Sequence, residues 1–255
     1  MKSVFFRMSL ILVAVLAGGG SLAAQQGGVA AAGQPLQNDE AIQRIDAAVK
    51  LRTDSIAGYT VQELYSIYRN GEANPSAQVM VKTVYNRETG KEYTPVSATG
   101  SSMLRSLVID KVLTTEKEMA KAVNHGKVAV TSANYEMHLH PEHEAINGRD
   151  CIVMDMKARR KESSLLNGKG WFDAGDFTLV RLAGSPAQSV SMFAGDMAGE
   201  RNYGRIGGFS MAEHSEMKTH NFMLGNTVMK IDYSDYKIEL DPKSQAATVV
   251  GRPQN

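Results

Sequence analysis

A single cysteine, Cys151, serves a chain of 255 residues. No intramolecular disulfide is therefore available, and the fold must be held by its core. Charge is nearly balanced as well. The formal net charge of +1 falls to −1 if Lys2 and Arg7 leave with an N-terminal signal, and neither value makes an electrostatic case for nucleic acid or an anionic membrane surface. The apolar run Met8 to Ala17 is too short to span a bilayer. Also missing are a G-x-S-x-G elbow, H-E-x-x-H, a P-loop and a G-x-G-x-x-G following a strand. The usual signatures of serine hydrolysis, zinc proteolysis and nucleotide binding are thus lacking, and no internal repeat is visible.

What is present begins with an address. Lys2 and Arg7 precede the apolar run, and Gly18 to Gly20 with Ser21-Leu22-Ala23-Ala24 supply the small residues a signal peptidase reads. Residues 1–24 are expected to be a secretory signal cleaved near Ala23/Ala24. With Cys151 far away, no lipobox cysteine follows it, so a soluble protein working outside the cytoplasm is expected. Residues 25–38, mostly Gly, Ala and Gln, have little to bury and read as a flexible leader. Residues 39–240 are long enough for one domain, and the polar tail 241–255, with two prolines, is expected to be disordered.

Within the domain, Asn38 is placed to cap a helix. Asp39 and Glu40 lie in its first turn, Ile42, Ile45 and Val49 on one face, and its end near Arg52. Tyr59 to Tyr68 and Gln78 to Tyr85 are rich in β-branched and aromatic residues and bounded by Asn70-Gly71 and Thr89-Gly90, which predicts long antiparallel neighbours. Ser102 to Val123 contains no Gly or Pro and spaces Leu104, Leu107, Val108 and Val112 as a helical stripe. Strands are then predicted over Val128 to Leu139, Asp150 to Lys157, Gly170 to Asp173, Thr178 to Ala183, Met211 to Phe222 and Asn226 to Ile238. Ile152, Met154 and Met156 alternate with Asp155 and Lys157, and Met229, Ile231 and Tyr233 with Lys230, Asp232 and Ser234. One buried face per strand and few helices imply an α+β arrangement, an antiparallel sheet curled around a helical plug or cover.

The segment His138 to His143 (HLHPEH) holds three of the six histidines. His138 and His140 fall on the strand face opposite Met137 and Leu139, Pro141 ends the strand, and Asn147-Gly148 turns the chain. Two strand histidines with His143 or Glu144 folding back have the right chemistry for zinc. The competing reading is a polar hairpin tip, since the spacing matches no motif with a stated mechanism. Ser215 and Lys218 fit S-x-x-K but lie three apart on a strand, on opposite faces. Cys151 reads as a small buried thiol. Twelve methionines remain once Met1 and Met8 leave with the signal; their flexible, polarizable side chains suit either gap-filling or an adaptable apolar cavity.

The run Gly168-Lys169-Gly170-Trp171-Phe172-Asp173, followed by Asp176 to Arg181, resembles a strand-turn-strand signature of the exported lipoprotein-carrier superfamily. That superfamily includes the periplasmic carrier, its outer-membrane acceptor and envelope-stress regulators. Ser132 to Met137, Gly148 to Cys151, Ala158 to Lys161 and Ile231 to Tyr236 further resemble outer-membrane lipoprotein-sorting proteins. The resemblance runs from about Ile42 to Ile238. It implies an unclosed antiparallel β-barrel, a half-barrel, with helices covering the open side of an apolar cavity. It also implies a non-catalytic periplasmic protein, without cofactor, that carries the acyl chains of a lipoprotein or another lipid from an inner-membrane donor toward an outer-membrane acceptor. No individual binding residue is carried over from the superfamily; the candidate lipid-contacting residues, taken from the apolar strand faces and the helical stripe of this chain, are Ile152, Met154, Met156, Met229, Ile231 and Leu107. Two other classes stay open: a protein-binding envelope sensor of the same fold, and a zinc-dependent secreted hydrolase using His138, His140 and His143.

Overall fold

The alternating Tyr, Thr, Val and Ile residues after the first helix set down a long hairpin. In the computed structural model, which describes residues 36–188, 194–221 and 225–243, β1 (Ile56–Arg69) pairs antiparallel with β2 (Ala77–Asn86), from Gly58↔Asn86 to Ile67↔Ala77. Asn70 and Gly71, at φ 48° and 79°, supply the left-handed backbone at the end of β1. The remaining strands are β3 (Gly90–Gly100), β4 (Tyr135–Leu139), β5 (Glu144–Ile146), β6 (Arg149–Ala158), β7 (Leu166–Asp173), β8 (Leu179–Pro186), β9 (Ala194–Ile206), β10 (Phe209–Asn221) and β11 (Gly225–Leu240). Their order is β3-β2-β1-β11-β10-β9-β8-β7-β6-β4, with β5 also beside β6. Neighbours are antiparallel throughout, and the end strands β3 and β4 do not pair, so the sheet stays unclosed, as expected. No described helix is long and apolar enough to cross a membrane.

Helices occupy the concave side. The first, α1 (Asn38–Ser55), follows Gln37. Asn38 does not cap it: its Oδ1 accepts the Leu139 backbone N–H at 2.8 Å, which ties the helix start to β4. Leu36, assigned above to the leader, packs against the core beneath α1. At the other end Asp241, assigned to the tail, accepts a hydrogen bond from the Arg87 guanidinium, and its N–H reaches Ser55 O at 2.8 Å. The signal, its cleavage site and most of the leader and tail lie outside the described residues.

The second helical segment is broken where a single helix was predicted. It comprises α2 (Ser102–Leu104), a π-helical turn (Arg105–Ile109), α3 (Asp110–Met119) and, after a break at Ala120 and Lys121, α4 (Ala122–Val128). Ser101 caps α2 by accepting the Leu104 N–H at 3.3 Å. The π turn inserts one residue into the helical period, so the buried positions become Leu104 and Ile109, while Leu107 rotates outward and is 45 % exposed. The strand predicted from Val128 is confined to Tyr135–Leu139. Asn134 explains the difference: its buried Nδ2 donates to Gly126 O and Ala129 O, at 2.8 and 2.7 Å, and folds 129–134 into a connection.

Two cores hold the layers together. One sets Ala41 and Ile45 of α1 against Tyr135, Met137, Ile152, Met154, Met156, Leu165, Phe172 and Phe177. The other sets Leu104 and Ile109 against Tyr65, Ile67, Ala77, Val79, Val81, Met229 and Ile231. On the outer face of β6, Cys151 joins Ile146 and Val180 beside Trp171, so this strand is buried on both sides up to Met154. Strands β7 and β8 approach so closely that a Cβ on Gly168 would stand 2.1 Å from Ala183 O.

Candidate functional site

Between the helices and the concave face lies a cavity of about 970 Å³. One wall is α1, from Arg44 to Thr53; the other is Met119, Ala120, His125 and Val128 of the α3–α4 segment. Ile56, Tyr59, Tyr85, Tyr203, Phe209, Met211, Tyr233 and Tyr236 form the floor. Phe177 belongs both to this lining and to the first core, and Tyr233 packs against the second.

The aromatic floor depends on an irregularity in β11. Between Gln62↔Ser234 and Thr60↔Lys237, β11 carries one residue more than β1, and Asp235 is left-handed at φ 57°. Gln62 Nε2 donates to Asp235 Oδ2 at 2.8 Å and holds the bulge. Residues three apart on a regular strand face opposite ways; the extra residue brings Tyr233 and Tyr236 to the same side. Tyr59 stacks on Tyr85 at 4.8 Å and meets Tyr236 at 5.8 Å. Tyr236 donates its hydroxyl to Ala212 O at 2.9 Å, and burial raises its pKa, so the phenol stays neutral.

A charged network lies beside Tyr233. Lys91 Nζ is 3.0 Å from Glu116 Oε2 and 3.8 Å from Glu63 Oε1, and Arg201 is 3.6 Å from Glu116 Oε1. Tyr93 donates to Glu116 at 3.1 Å and Tyr65 to Glu63 at 2.5 Å. Burial pushes the Glu116 carboxyl up, but attraction to Lys91 and Arg201 and hydrogen bonds from Lys91 and Tyr93 outweigh it and hold the pKa at about 2. Glu63 Oε1, buried, has no hydrogen-bond partner among the described residues. Glu116 therefore pins α3 to strands β3 and β9. On the opposite wall, Asp46 of α1 accepts the Ser132 N–H at 2.9 Å and its hydroxyl at 2.5 Å.

The six candidate contact residues do not form one lining. Ile152, Met154 and Met156 sit in the first core, Met229 and Ile231 in the second, Leu107 faces outward, and none lines the cavity. Alternation located buried faces; it could not tell a packed core from a cavity wall. Tyr59 and Tyr85 lay on predicted strands without being singled out, and Tyr236 needed the bulge, which leaves no mark in the periodicity.

HLHPEH is the end of a hairpin. His140 Nε2 meets Asp155 Oδ2 at 2.8 Å, His143 Nδ1 meets Asp150 at 3.0 Å, and His138 lies opposite Asp155 in the strand register. The structure thus pairs His140 and His143 with different carboxylates, and among the described residues no group of three His, Cys, Asp or Glu side chains could hold a metal ion. Ser215 accepts from Arg201 Nε at 2.7 Å while Lys218 pairs with Glu216 at 3.0 Å, so S-x-x-K does not assemble. Cys151 is fully buried, and burial raises its thiol pKa.

No family model and no curated protein matches the chain. Among solved structures it is similar to the following three. One is a LolA superfamily protein from Nitrosomonas europaea, at 13 % identity and TM-score 0.39 over 82 % of this chain and 96 % of that one. Another is an outer membrane lipoprotein-sorting protein domain from Vibrio parahaemolyticus, at 12 % identity and TM-score 0.45 over 84 % and 100 %. A third is a DUF1329 family protein from Desulfovibrio piger, at 13 % identity and TM-score 0.37 over 77 % and 92 %. With TM-scores of 0.37–0.45 these are similarities only, and the unclosed sheet stands on its own strand pairing.

Proposed function

We propose that the protein is a non-catalytic periplasmic carrier that holds acyl chains of a lipoprotein or another lipid in the covered cavity and passes them toward the outer membrane. The observation that carries this reading is the 970 Å³ space with an aromatic floor and two helical walls. Such a space suits a long apolar ligand: each buried methylene contributes about 0.8 kcal/mol before the cost of association. Release needs a cover that opens cheaply. Of α1 only Ala41, Ile45 and Ser55 are buried, and the two apolar ones give a hold of about 3 kcal/mol. An inner-membrane donor and an outer-membrane acceptor belong to this reading as partners.

Native mass spectrometry of protein purified from a periplasmic extract tests it. Expected is an added mass that dissociates as lipid, and its loss in Ala212→Trp, which sets an indole on the floor beside Tyr236. An unliganded wild type that also fails to take up a fluorescent fatty acid removes the carrier reading. Stoichiometric capture of a protein partner by that lipid-free chain would favour an envelope sensor.

A further inference from the structure

The cavity is not electrically neutral along its walls. Among the described residues five cations line it, Arg44, Arg52, Lys91, Arg201 and Arg205, against one carboxylate, Asp176. Four of the five are matched: Arg44 by Glu40, Lys91 and Arg201 by Glu116, and Arg205 by Asp176. Arg52 is the exception, since among the described residues it makes no ion pair.

Its hydrogen bonding is also incomplete. Nε donates to Ser210 O at 2.9 Å and Nη2 to Met211 Sδ at 3.4 Å, a thioether being a weak acceptor. A guanidinium carries five N–H donors, so most of this half-buried fork is unspent, and it lines the same space as Tyr59, Tyr85 and Met211. Nη1 and Nη2 together match two oxygens of a carboxylate or phosphate, in the bidentate geometry that makes such pairs strong. Its place in the last turn of α1 favours a cation there, yet leaves the fork short of an anion.

We infer that Arg52 is the anchor for the oxyanion of an anionic amphiphile, with Met211 Sδ giving way to an anion oxygen while the acyl chain lies on the aromatic floor. The inference rests on the acyl-chain reading above and sharpens it: the ligand carries a carboxylate or phosphate next to its chain, not a neutral head. The shared chemistry is a two-oxygen anion, supplied either by a fatty acid or by a phospholipid.

The test compares three ligands with one oleoyl chain, each below its aggregation threshold, on delipidated protein by calorimetry: oleate, oleoyl lysophosphatidate and neutral monoolein. Wild type is expected to bind at least one anion about tenfold more tightly than monoolein, a difference of about 1.4 kcal/mol. Arg52→Gln should abolish that preference by weakening the anion far more than monoolein, and Arg52→Lys should keep part of it. Dependence on Arg52 for oleate alone assigns a carboxylate, for lysophosphatidate a phosphate. Equal affinities in wild type, a preference that survives Arg52→Gln, or a parallel loss for monoolein overturns the anchor and leaves acyl-chain binding standing. Failure of all three ligands to bind overturns the carrier reading with it.

Discussion

Replacing Glu116 with Gln tests how the α3 wall is held. None of the side chains of α3 is fully buried, whereas Glu116 reaches Lys91, Tyr93 and Arg201. Its carboxyl is held at about 2 against an ordinary 4.5, a gap worth about 3 kcal/mol at 1.36 kcal/mol per pH unit. The folded-state pKa is depressed, so this stabilisation is fully present above the ordinary value of 4.5 and is lost as pH falls toward 2. Urea unfolding of wild type and Glu116→Gln, each followed from pH 7 down to pH 2.5, isolates the contribution from that of other acidic groups. Near neutral pH the variant should be less stable by about 2–3 kcal/mol, and the two curves should converge in acid. Parallel curves, with the same deficit at pH 7 and pH 2.5, would show that Glu116 holds α3 by shape rather than by charge.

The other tests are simpler. Gly168→Ala should cost about 1–3 kcal/mol in unfolding free energy, because its Cβ would meet Ala183 O and backbone must move; an unchanged denaturation midpoint would mean that β7 and β8 have room. Asp46→Ala removes the two hydrogen bonds from Ser132 and should raise amide exchange along α1, by about 2 kcal/mol of local stability, while β6 and β7 keep their protection. His140→Ala loses only an exposed pair with Asp155, so stability should change by less than about 1 kcal/mol, and wild type dialysed against zinc should retain none at stoichiometry. Retained zinc that disappears in His140→Ala would revive the hydrolase reading.

The strands that were legible are those whose two faces differ in polarity. β6 and β11 announced themselves through Ile152, Met154 and Met156 and through Met229 and Ile231. β9, with the sequence AGDMAGERNYGRI, has no run of β-branched residues and is placed by pairing with β10 from Phe209↔Ile206 onward. β3 carries Pro95, tolerated because the strand is an edge and the register slips beside it. The helical stripe at Leu104 to Val112 was read at the α-helical period, and the π turn changed that period locally, which is why Leu107 came out on the wrong side. The cavity was the least visible part, since its floor gathers one tyrosine each from β1, β2 and β9 and two from β11, strands far apart in sequence.

A β-strand can be read like a two-letter alphabet, in and out, and the bulge at Asp235 acts on it as a frameshift. Before it, odd-numbered residues of β11 face the concave side; after it, even-numbered ones do. Deleting that one residue would leave the composition almost untouched and every downstream side chain inverted, turning the tyrosine now at 236 toward solvent. The capacity of the cavity is thus encoded less in which aromatic residues the chain contains than in the parity at which they are spelled.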